Sequence, residues 1–239
     1  MEVLESLGPW VDDFLLGIRT TLVVTALGTV GALAVSFVLG MLVRGVSRVQ
    51  RAFARTVIEF FRGTSLLVQL WWLFFALPQL GWKLTPLACA FVAFTLNFGA
   101  YGAEVVRGAI NAVEETQWDA ATALSFTAYQ RMRLVILPQA LPGMLPPFGN
   151  LLIQLLKSTP LVLTITIADF TAVTEDYRDA EGNTLFIFTL SLVVYFLIAY
   201  LFTIGMRLLE RRARAGIGRA DSGGLLRLLL SGPKGGKAA

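Results

Sequence analysis

The chain has 239 residues, of which 56% are hydrophobic and only 15% are charged, and its formal net charge is +4. Soluble domains carry about 25% charged residues, so this composition excludes an ordinary soluble domain and indicates a protein that lives in lipid. The basic residues stand in short runs between long apolar stretches, which is typical of membrane-protein loops and argues against a nucleic-acid partner.

Five apolar stretches are predicted to cross the membrane, because roughly 20 apolar residues span about 30 Å of hydrocarbon. Residues 1–19 precede them as a periplasmic segment, whose acidic start differs from the basic start of a signal peptide. Four stretches carry no charged residue, namely 20–43, 63–81, 84–103 and 184–206. The remaining span is placed at 145–168, after an interfacial elbow at 138–142, because prolines interrupt residues 138–147. The predicted fold is an all-α membrane protein with about five transmembrane helices.

Arginine-rich segments set the predicted orientation. One such segment, 44–62, follows the first span and another, 207–219, follows the last, and cytoplasmic loops are enriched in arginine. The N-terminus and the loop at 169–181 are acidic, which suits the opposite side. We therefore predict a multi-pass inner-membrane protein with a periplasmic N-terminus and a cytoplasmic C-terminus. Its transmembrane domain is 20–211, and its tail, 212–239, is expected to be mobile.

The amphipathic segment 108–138 joins the third and fourth spans. Thr116 with Asp119, and Thr127 with Gln130, have the spacing of capping boxes and predict two short helices, with a turn near Ser125 and an end before Pro138. A DNA-binding helix-turn-helix is disfavoured because the segment is tied between two spans. Its exposed apolar side chains predict a surface that docks a partner, although they could instead pack on the protein's own spans.

Separated motifs in the chain resemble a known family. Residues 107–108 (RG), 118–121 (WDAA), 124–125 (LS) and 136–140 (ILPQA) resemble the EAA coupling loop of ABC importer permeases. Residues 61–69 (FRGTSLLVQ) and 156–162 (LKSTPLV) resemble the polar amino acid uptake branch of that family, the HisM/HisQ-like permeases. The resemblance covers most of residues 15–211 and implies a type I ABC importer permease fold with a cytoplasmic coupling loop at 108–138.

The resemblance also implies partners. These are ABC ATPase subunits that bind ATP and Mg²⁺, a second permease that is a copy or a homologue, an extracytoplasmic solute-binding protein, and membrane lipid. The residues expected to dock the ATPase are Thr116, Trp118, Asp119, Ala120, Ala121, Ser125 and Phe126.

The chain departs from the family pattern at four positions. Asp119 stands for the usual Glu and keeps its charge, whereas Ser125 stands for Gly at the turn. Ser158 replaces a frequent Asp, which weakens the case for a cationic amino acid. Ser65, in place of a frequent Pro, and the pair Trp71 and Trp72 resemble permeases for ectoine and hydroxyectoine.

Polar residues within spans predict a solute pathway, because such residues are costly in lipid unless they face a cavity or a partner. Helical spacing puts one set on one face of span four and another on one face of span three. Lys157 could bind a carboxylate and Glu104 the cationic end of a zwitterionic solute, or the two could simply pair with each other. The predicted pathway residues are Gln69, Asn97, Glu104, Asn150, Gln154, Lys157 and Ser158.

Catalysis by this chain is disfavoured. It contains one cysteine and no histidine, so we expect no metal site, and it has no complete phosphate-binding loop, so we expect no cofactor and no ATP hydrolysis in this chain. Two other functions are considered. A gradient-driven carrier or channel is disfavoured by the odd number of spans and the lack of an internal repeat, and a membrane scaffold is disfavoured by Lys157 inside a span.

Overall fold

The structure, a computed structural model, describes residues 8–45 and 47–216, with side chains described as far as residue 213. Residues 1–7 and 217–239, which include much of the predicted N-terminal segment and tail, lie outside the described residues. The described residues form helices and no strands. Within the described part of the chain, four helices are long and apolar enough to cross a membrane, or up to five if one bent pair of helices is counted as a single crossing. The all-helical prediction is thus confirmed.

The described residues form nine α-helices in sequence. The first four are α1 (Val11–Leu42), α2 (Arg48–Gly63), α3 (Leu66–Trp71) and α4 (Pro86–Asn111). Helix α3 continues through a π turn (Trp72–Ala76) and a 3₁₀ turn (Leu77–Leu80). The others are α5 (Glu115–Ala123), α6 (Ala128–Gln130), α7 (Leu137–Ser158), α8 (Phe170–Glu181) and α9 (Thr184–Gly216).

Helices α1 and α4 run parallel and in close contact. A Cβ atom on Gly31 would lie 2.0 Å from Thr95 Oγ1, and one on Gly102 would lie 2.0 Å from Ser36 Oγ, so only glycine permits this approach. Residue 31 of α1 contacts residue 95 of α4, and residue 36 contacts residue 102. Residue numbers therefore rise in the same direction along both helices, so the helices are parallel. The Ser36 hydroxyl also lies 3.2 Å from the Gly99 carbonyl oxygen across the contact. Both helices therefore end at one end of the bundle, near Arg44 and Asn111, which we call the arginine-bearing end.

Helix α7 runs antiparallel to α4, and α9 runs antiparallel to α7. Ile136 packs beside Ile110 near the end of α4, whereas Leu155 packs beside Phe94 further back along it. In the same way the Tyr195 hydroxyl lies 3.5 Å from Thr159 Oγ1, while Met206 lies against Gly149. The directions of α1, α4, α7 and α9 thus suit a chain that crosses the membrane an odd number of times.

The second predicted span, 63–81, is bent rather than straight. Helix Arg48–Gly63 and the helical stretch Leu66–Leu80 meet at 101°. The bend falls at Thr64 and Ser65, whose backbones are extended, with ψ angles of 147° and 133°. The bend joins the second predicted span to α2, which the sequence assigned to a cytoplasmic segment.

Two predictions about the prolines were wrong. The helix does not end before Pro138, and residues 138–142 do not form an interfacial elbow, because a continuous helical stretch runs from Ala128 to Ile165. A π turn (Arg131–Ile136) stands directly before Pro138, and the Leu137 N–H donates to the Met132 carbonyl five residues earlier. Such a wider turn changes the positions of the carbonyl groups before the proline, so the helix can continue through it.

The acidic segment 169–181, predicted as a loop, is the helix α8. Asp169 caps it, because its carboxylate accepts a hydrogen bond from the Ala172 N–H at 3.0 Å. Phe170 and Tyr177 are buried and pack against Phe14 of α1, so α8 covers the end of the bundle opposite the arginine-bearing end. This packing could not be predicted from the sequence, because the segment is too polar to be recognised as part of a core.

Asp169 is completely buried, and no described arginine or lysine pairs with it. Burial raises its pKa, while hydrogen bonds from the Ala172 N–H and the Tyr195 hydroxyl, the latter at 3.2 Å, act in the opposite direction. A carboxyl group with a raised pKa favours the folded state most when it is protonated. Its contribution to stability therefore falls as pH rises through that pKa.

We predict that Asp169→Asn removes this pH dependence. The amide oxygen can still accept from the Ala172 N–H, and the amide nitrogen can donate to the Tyr195 hydroxyl. The melting temperature of the purified protein, measured from pH 4 to 8, should fall less with rising pH in Asp169→Asn than in the natural chain. Asp169→Ala, which loses the cap, should be less stable by about 1 kcal/mol. Identical pH profiles for the natural chain and Asp169→Asn would contradict the assignment.

Candidate functional site

Helix α5 and the turn after it form the compact part of the segment 108–138. The predicted capping box of Thr116 and Asp119 is wrong, because α5 begins at Glu115 and its N-cap, Glu114, makes no capping bond. Thr116 lies within the first turn and donates to Glu114 Oε2 at 3.3 Å. The second box is confirmed, since Thr127 Oγ1 accepts from the Gln130 N–H at 3.3 Å and the Gln130 side chain accepts from the Thr127 N–H at 2.9 Å.

Ser125, which stands at a turn where the resembling family prefers glycine, adopts the left-handed backbone conformation. Its φ is 57°, its N–H donates to Thr122, and the Phe126 N–H donates to Ala121, at 2.9 and 3.2 Å. This is the hydrogen-bond pattern of a Schellman motif, which usually carries glycine at this position. The turn therefore holds α5 at a fixed angle to the next helix, at a backbone strain of about 1–2 kcal/mol.

Trp118 packs on the protein itself rather than lying free on the surface. The guanidinium carbons of Arg44 and Arg131 lie 5.2 and 5.6 Å from the centroid of its ring. Arg44 also donates to the Asn111 side chain, and Arg131 donates to Thr122 Oγ1 at 2.8 Å. We call Trp118, Arg44 and Arg131 the Trp118 clamp. Because cation–π contacts are worth about 0.5–2 kcal/mol each, the clamp ties α5 to the ends of α1 and α4 and to the helix that follows.

The other predicted docking residues differ in exposure. Thr116, Asp119, Ala120 and Ser125 are exposed, Phe126 is half-buried, and Ala121 is buried. Leu124 and Tyr129, which border them, are also exposed. We call the exposed residues of α5 and its turn the α5 surface. Within the described part of the chain, the α5 surface carries two carboxylates, those of Glu115 and Asp119.

Gln69 and Asn97, predicted to line a pathway, hold the corner between α2 and α3. The Asn97 amide donates to the Phe61 carbonyl at 3.0 Å, and the Gln69 amide donates to Thr64 Oγ1 at 2.7 Å and to the Phe61 carbonyl at 3.2 Å. Both side chains are buried. They satisfy carbonyl groups that the end of α2 would otherwise leave unpaired in a membrane.

Glu104 pairs with Arg107 one turn later on α4. Both Nε and one terminal nitrogen of Arg107 donate to Glu104 Oε2, at 3.0 and 2.6 Å. The structure therefore gives Glu104 a partner other than Lys157, against one of the alternatives drawn from the sequence.

The predicted stripe on α7 is a continuous face. Asn150, Gln154 and Lys157 are exposed, while Ser158 is half-buried and donates to the Gln154 carbonyl at 2.9 Å. No hydrogen bond or ion pair among the described residues joins this face to Gln69, Asn97 or Glu104. A separate cavity of about 240 Å³ between α1, α4, α7 and α9 is lined mainly by apolar side chains such as Met144 and Phe148, and includes none of the predicted pathway residues.

Sequence reasoning missed Arg44 and Arg131 as partners of Trp118. Both had been counted only as charges, and neither is close to Trp118 in the sequence. A tryptophan near several arginines at the end of a span was the one available signal, because cation–π contacts with arginine are common.

Comparisons with known proteins agree on one family. Residues 32–215 match the family described as "Binding-protein-dependent transport system inner membrane component". The chain is 48% identical over 166 residues to a probable amino-acid ABC transporter permease, y4tF, of Sinorhizobium fredii, covering 67% of this chain and 70% of that protein. It is 31% identical over 212 residues to the glutamine transport system permease GlnP of Escherichia coli, covering 88% of this chain and 97% of that protein.

Solved structures give the same fold. One is a chain from the crystal structure of an amino acid ABC transporter with histidines, which is 30% identical in sequence with a TM-score of 0.80. The match covers 87% of this chain and 97% of that one. A chain of the MetNI methionine ABC transporter in an inward-facing conformation has a TM-score of 0.74 at 20% identity, covering 86% of this chain and 98% of that one. At this lower identity the likeness shows the fold alone.

We predict that Trp118→Leu loosens α5 without unfolding the protein. Loss of both cation–π contacts should weaken local stability by about 1–2 kcal/mol, so amide hydrogen exchange within α5 should rise roughly 10-fold. Trp82→Leu is the matched control, since Trp82 is exposed and makes no described ring contact with an arginine. Unchanged exchange in α5 of Trp118→Leu would show that the clamp does not hold the helix.

Proposed function

The chain belongs to the family of binding-protein-dependent transport system inner membrane components, and we propose that it carries a zwitterionic solute along the polar faces of α4 and α7. It is the permease subunit of an ABC amino-acid importer, a multi-pass component of the inner membrane. Permeases of this family are not themselves catalytic, and the ATPase activity lies in a partner. Family membership favours this function over the gradient-driven carrier and the scaffold.

Lys157 carries the proposal about the solute. It is an exposed cation near the end of α7, on the same face as Asn150 and Gln154, within a stretch that is apolar enough to cross a membrane. An ammonium group there must face water, a solute or another subunit, because contact with lipid would cost several kcal/mol. A solute carboxylate is the partner that its charge fits best.

The cationic end of the solute is assigned to Glu104 at a later stage than the Lys157 contact, because Glu104 lies about 15 Å further along α4 than Phe94, beside which Leu155 packs. One of its oxygens, Oε2, accepts from Arg107, and no described hydrogen bond reaches the other, Oε1. The Arg107 pairing lowers the net charge at this position, so the site suits a zwitterion better than a strongly cationic solute. Ser158, uncharged where related permeases often have Asp, favours the same conclusion.

The choice between amino acids and ectoines rests on two kinds of support. One relative is a glutamine permease by name, which favours an amino acid. Ser65 and the pair Trp71 and Trp72 favour ectoine or hydroxyectoine, and both tryptophans are exposed, with the Trp71 ring N–H donating to Thr164 Oγ1 at 3.1 Å. Both solute classes are zwitterions and would use Lys157 in the same way.

The assembly follows from the proposed topology, with the N-terminus periplasmic and the C-terminus cytoplasmic. The arginine-bearing end then faces the cytoplasm, and the α5 surface docks an ATPase that binds ATP and Mg²⁺. The Trp118 clamp would pass the movement of the ATPase to α1 and α4. A second permease, as a copy or a homologue, and an extracytoplasmic solute-binding protein complete the transporter.

We predict that Lys157→Met lowers uptake strongly while the subunit remains folded. The apolar stem is kept and one charge-assisted hydrogen bond of about 1.5–3 kcal/mol is lost, which corresponds to roughly 10–100-fold weaker binding. Uptake of glutamine and of ectoine is measured in proteoliposomes that contain the ATPase and the binding protein. Lys83→Met is the matched control, since Lys83 lies outside the spans. Equal uptake by Lys157→Met and the natural chain would remove Lys157 from the pathway.

We predict that Asp119→Ala weakens assembly with the ATPase. Loss of one member of an interface charge pair costs about 2 kcal/mol or more, equivalent to roughly 30-fold in affinity. The amount of ATPase that co-purifies with the tagged permease should fall accordingly. Asp176→Ala, an exposed carboxylate on α8, serves as control and should leave co-purification unchanged. If both variants retain the ATPase equally, Asp119 has no part in docking.

A further inference from the structure

Arg62 lies beside the middle of α4, although its place in the sequence suggests a cytoplasmic loop. It is the penultimate residue of α2, and its guanidinium carbon lies 5.3 Å from the centroid of the Tyr101 ring on α4. The Tyr101 hydroxyl donates to the Arg62 carbonyl at 3.3 Å. Both the backbone and the side chain of Arg62 are therefore fixed at the level of Tyr101.

The position of Tyr101 gives the depth of Arg62. The 26 residues of α4 rise about 39 Å, and Tyr101 is about 15 Å from the end at Asn111. A hydrocarbon core of about 30 Å centred on α4 leaves roughly 5 Å of helix outside it at each end. Arg62 is then roughly 10 Å inside the hydrocarbon region.

Arg62 has no counter-charge in the described part of the chain. It is exposed, and no ion pair joins it to a described carboxylate, including that of Glu59 one turn earlier on α2. Glu104, one turn beyond Tyr101 on α4, is paired with Arg107. A free guanidinium at this depth would be costly against lipid, so Arg62 must face a water-filled space or a charged partner.

Lys157 and Arg62 lie at different depths. The side chain of Leu155, two residues before Lys157, packs beside Phe94. Phe94 and Tyr101 are separated by about 10 Å along α4, with Tyr101 closer to the arginine-bearing end. The bundle therefore presents two exposed cations in succession along the membrane normal.

We propose that Arg62 is a second carboxylate-binding residue, which takes the carboxylate of the solute on the cytoplasmic side of Lys157. The inference rests on the proposed transport function. A guanidinium suits this role because its planar set of N–H donors can bind both carboxylate oxygens. Stacking on Tyr101 holds the group in place, and the corner bonds of Gln69 and Asn97 keep the end of α2 rigid beneath it.

A residue that meets the solute after Lys157 should affect turnover more than capture. Arg62→Gln should lower the maximal uptake rate roughly 10-fold or more, because a charge-assisted hydrogen bond of about 1.5–3 kcal/mol is lost. The solute concentration at half-maximal uptake should change little. Arg62→Lys, which keeps the charge, should recover part of the rate, whereas a purely structural arginine would need its full hydrogen-bonding geometry.

Chemical restoration of the charge tests the proposal directly. Arg62→Cys is made in a Cys89→Ala background, together with Arg55→Cys, which lies two turns earlier on the same face of α2. The complete transporter in proteoliposomes, with glutamine as solute, is treated with a cationic or an anionic methanethiosulfonate of similar size. The cationic reagent should restore uptake at least 3-fold in the Arg62→Cys variant and the anionic reagent should not. The Arg55→Cys variant should be active with or without either reagent.

Several results would overturn the proposal. A thiol at position 62 that neither reagent reaches would show that the position does not line an aqueous space. Equal restoration of uptake by both reagents would show that side-chain volume rather than charge matters. Equal loss of uptake in Arg62→Cys and Arg55→Cys would show that both arginines serve to orient the protein in the membrane. If Arg62→Cys fails to assemble, the other two variants decide. Full uptake by Arg62→Gln would contradict the proposal, and so would an uptake rate of Arg62→Lys no higher than that of Arg62→Gln. A natural chain that moves neither amino acids nor ectoine in the same assay would instead refute the transport function, and this inference with it.

Discussion

The contact of Trp118 with two arginines links the polar loop of this protein to its membrane helices. Arg44 comes from the end of α1 and reaches Asn111 at the end of α4, while Arg131 comes from the stretch that leads into α7. The Gln139 side chain of α7 also donates to Gln117 of α5, at 3.1 Å. Helix α5 is short and mostly exposed, so it would be marginal by itself. The Trp118 clamp attaches α5 to the bundle. A force on the α5 surface is therefore transmitted to α1, α4 and α7.

The bundle can respond as one body because α1 and α4 are in unusually close contact. Gly31 and Gly102 let the helices approach until side chains of one reach the backbone of the other. The corner between α2 and α3 is the contrasting feature, since it interrupts a crossing with extended residues at Thr64 and Ser65. Buried amides of Gln69 and Asn97 satisfy the carbonyls there, so the break is stable within the membrane. Polar residues in this protein thus serve the backbone as well as a solute.

The sequence predicted the features that depend on local composition. Uncharged apolar stretches identified the spans, and the spacing of Thr127 and Gln130 identified a capping box. It failed where a tertiary contact decides the outcome. The helix continues past Pro138 because a π turn precedes it. The acidic segment 169–181 is the helix α8, which packs against Phe14. Helix α5 begins at Glu115, so Thr116 lies inside the helix. For the candidate site, helical spacing could group the polar residues by helix face, but it could not show that Glu104 pairs with Arg107. Arg62 was assigned to a cytoplasmic segment because it is the last of the arginines that recur through residues 44–62, whereas its depth is set by Tyr101 on a different helix.

The central claim is that α5 and the membrane helices move together when the ATPase works. Spin labels on Met41→Cys, near the end of α1, and Ala123→Cys, at the end of α5, would report their separation by pulsed electron paramagnetic resonance. The measurement uses the complete transporter, with labelled permease diluted by unlabelled permease so that distances within one subunit dominate. The account predicts the same distance distribution without nucleotide, with ATP and in a vanadate-trapped state. A shift of several ångströms between these states would contradict it, because α5 would then move independently of the helices to which the Trp118 clamp attaches it.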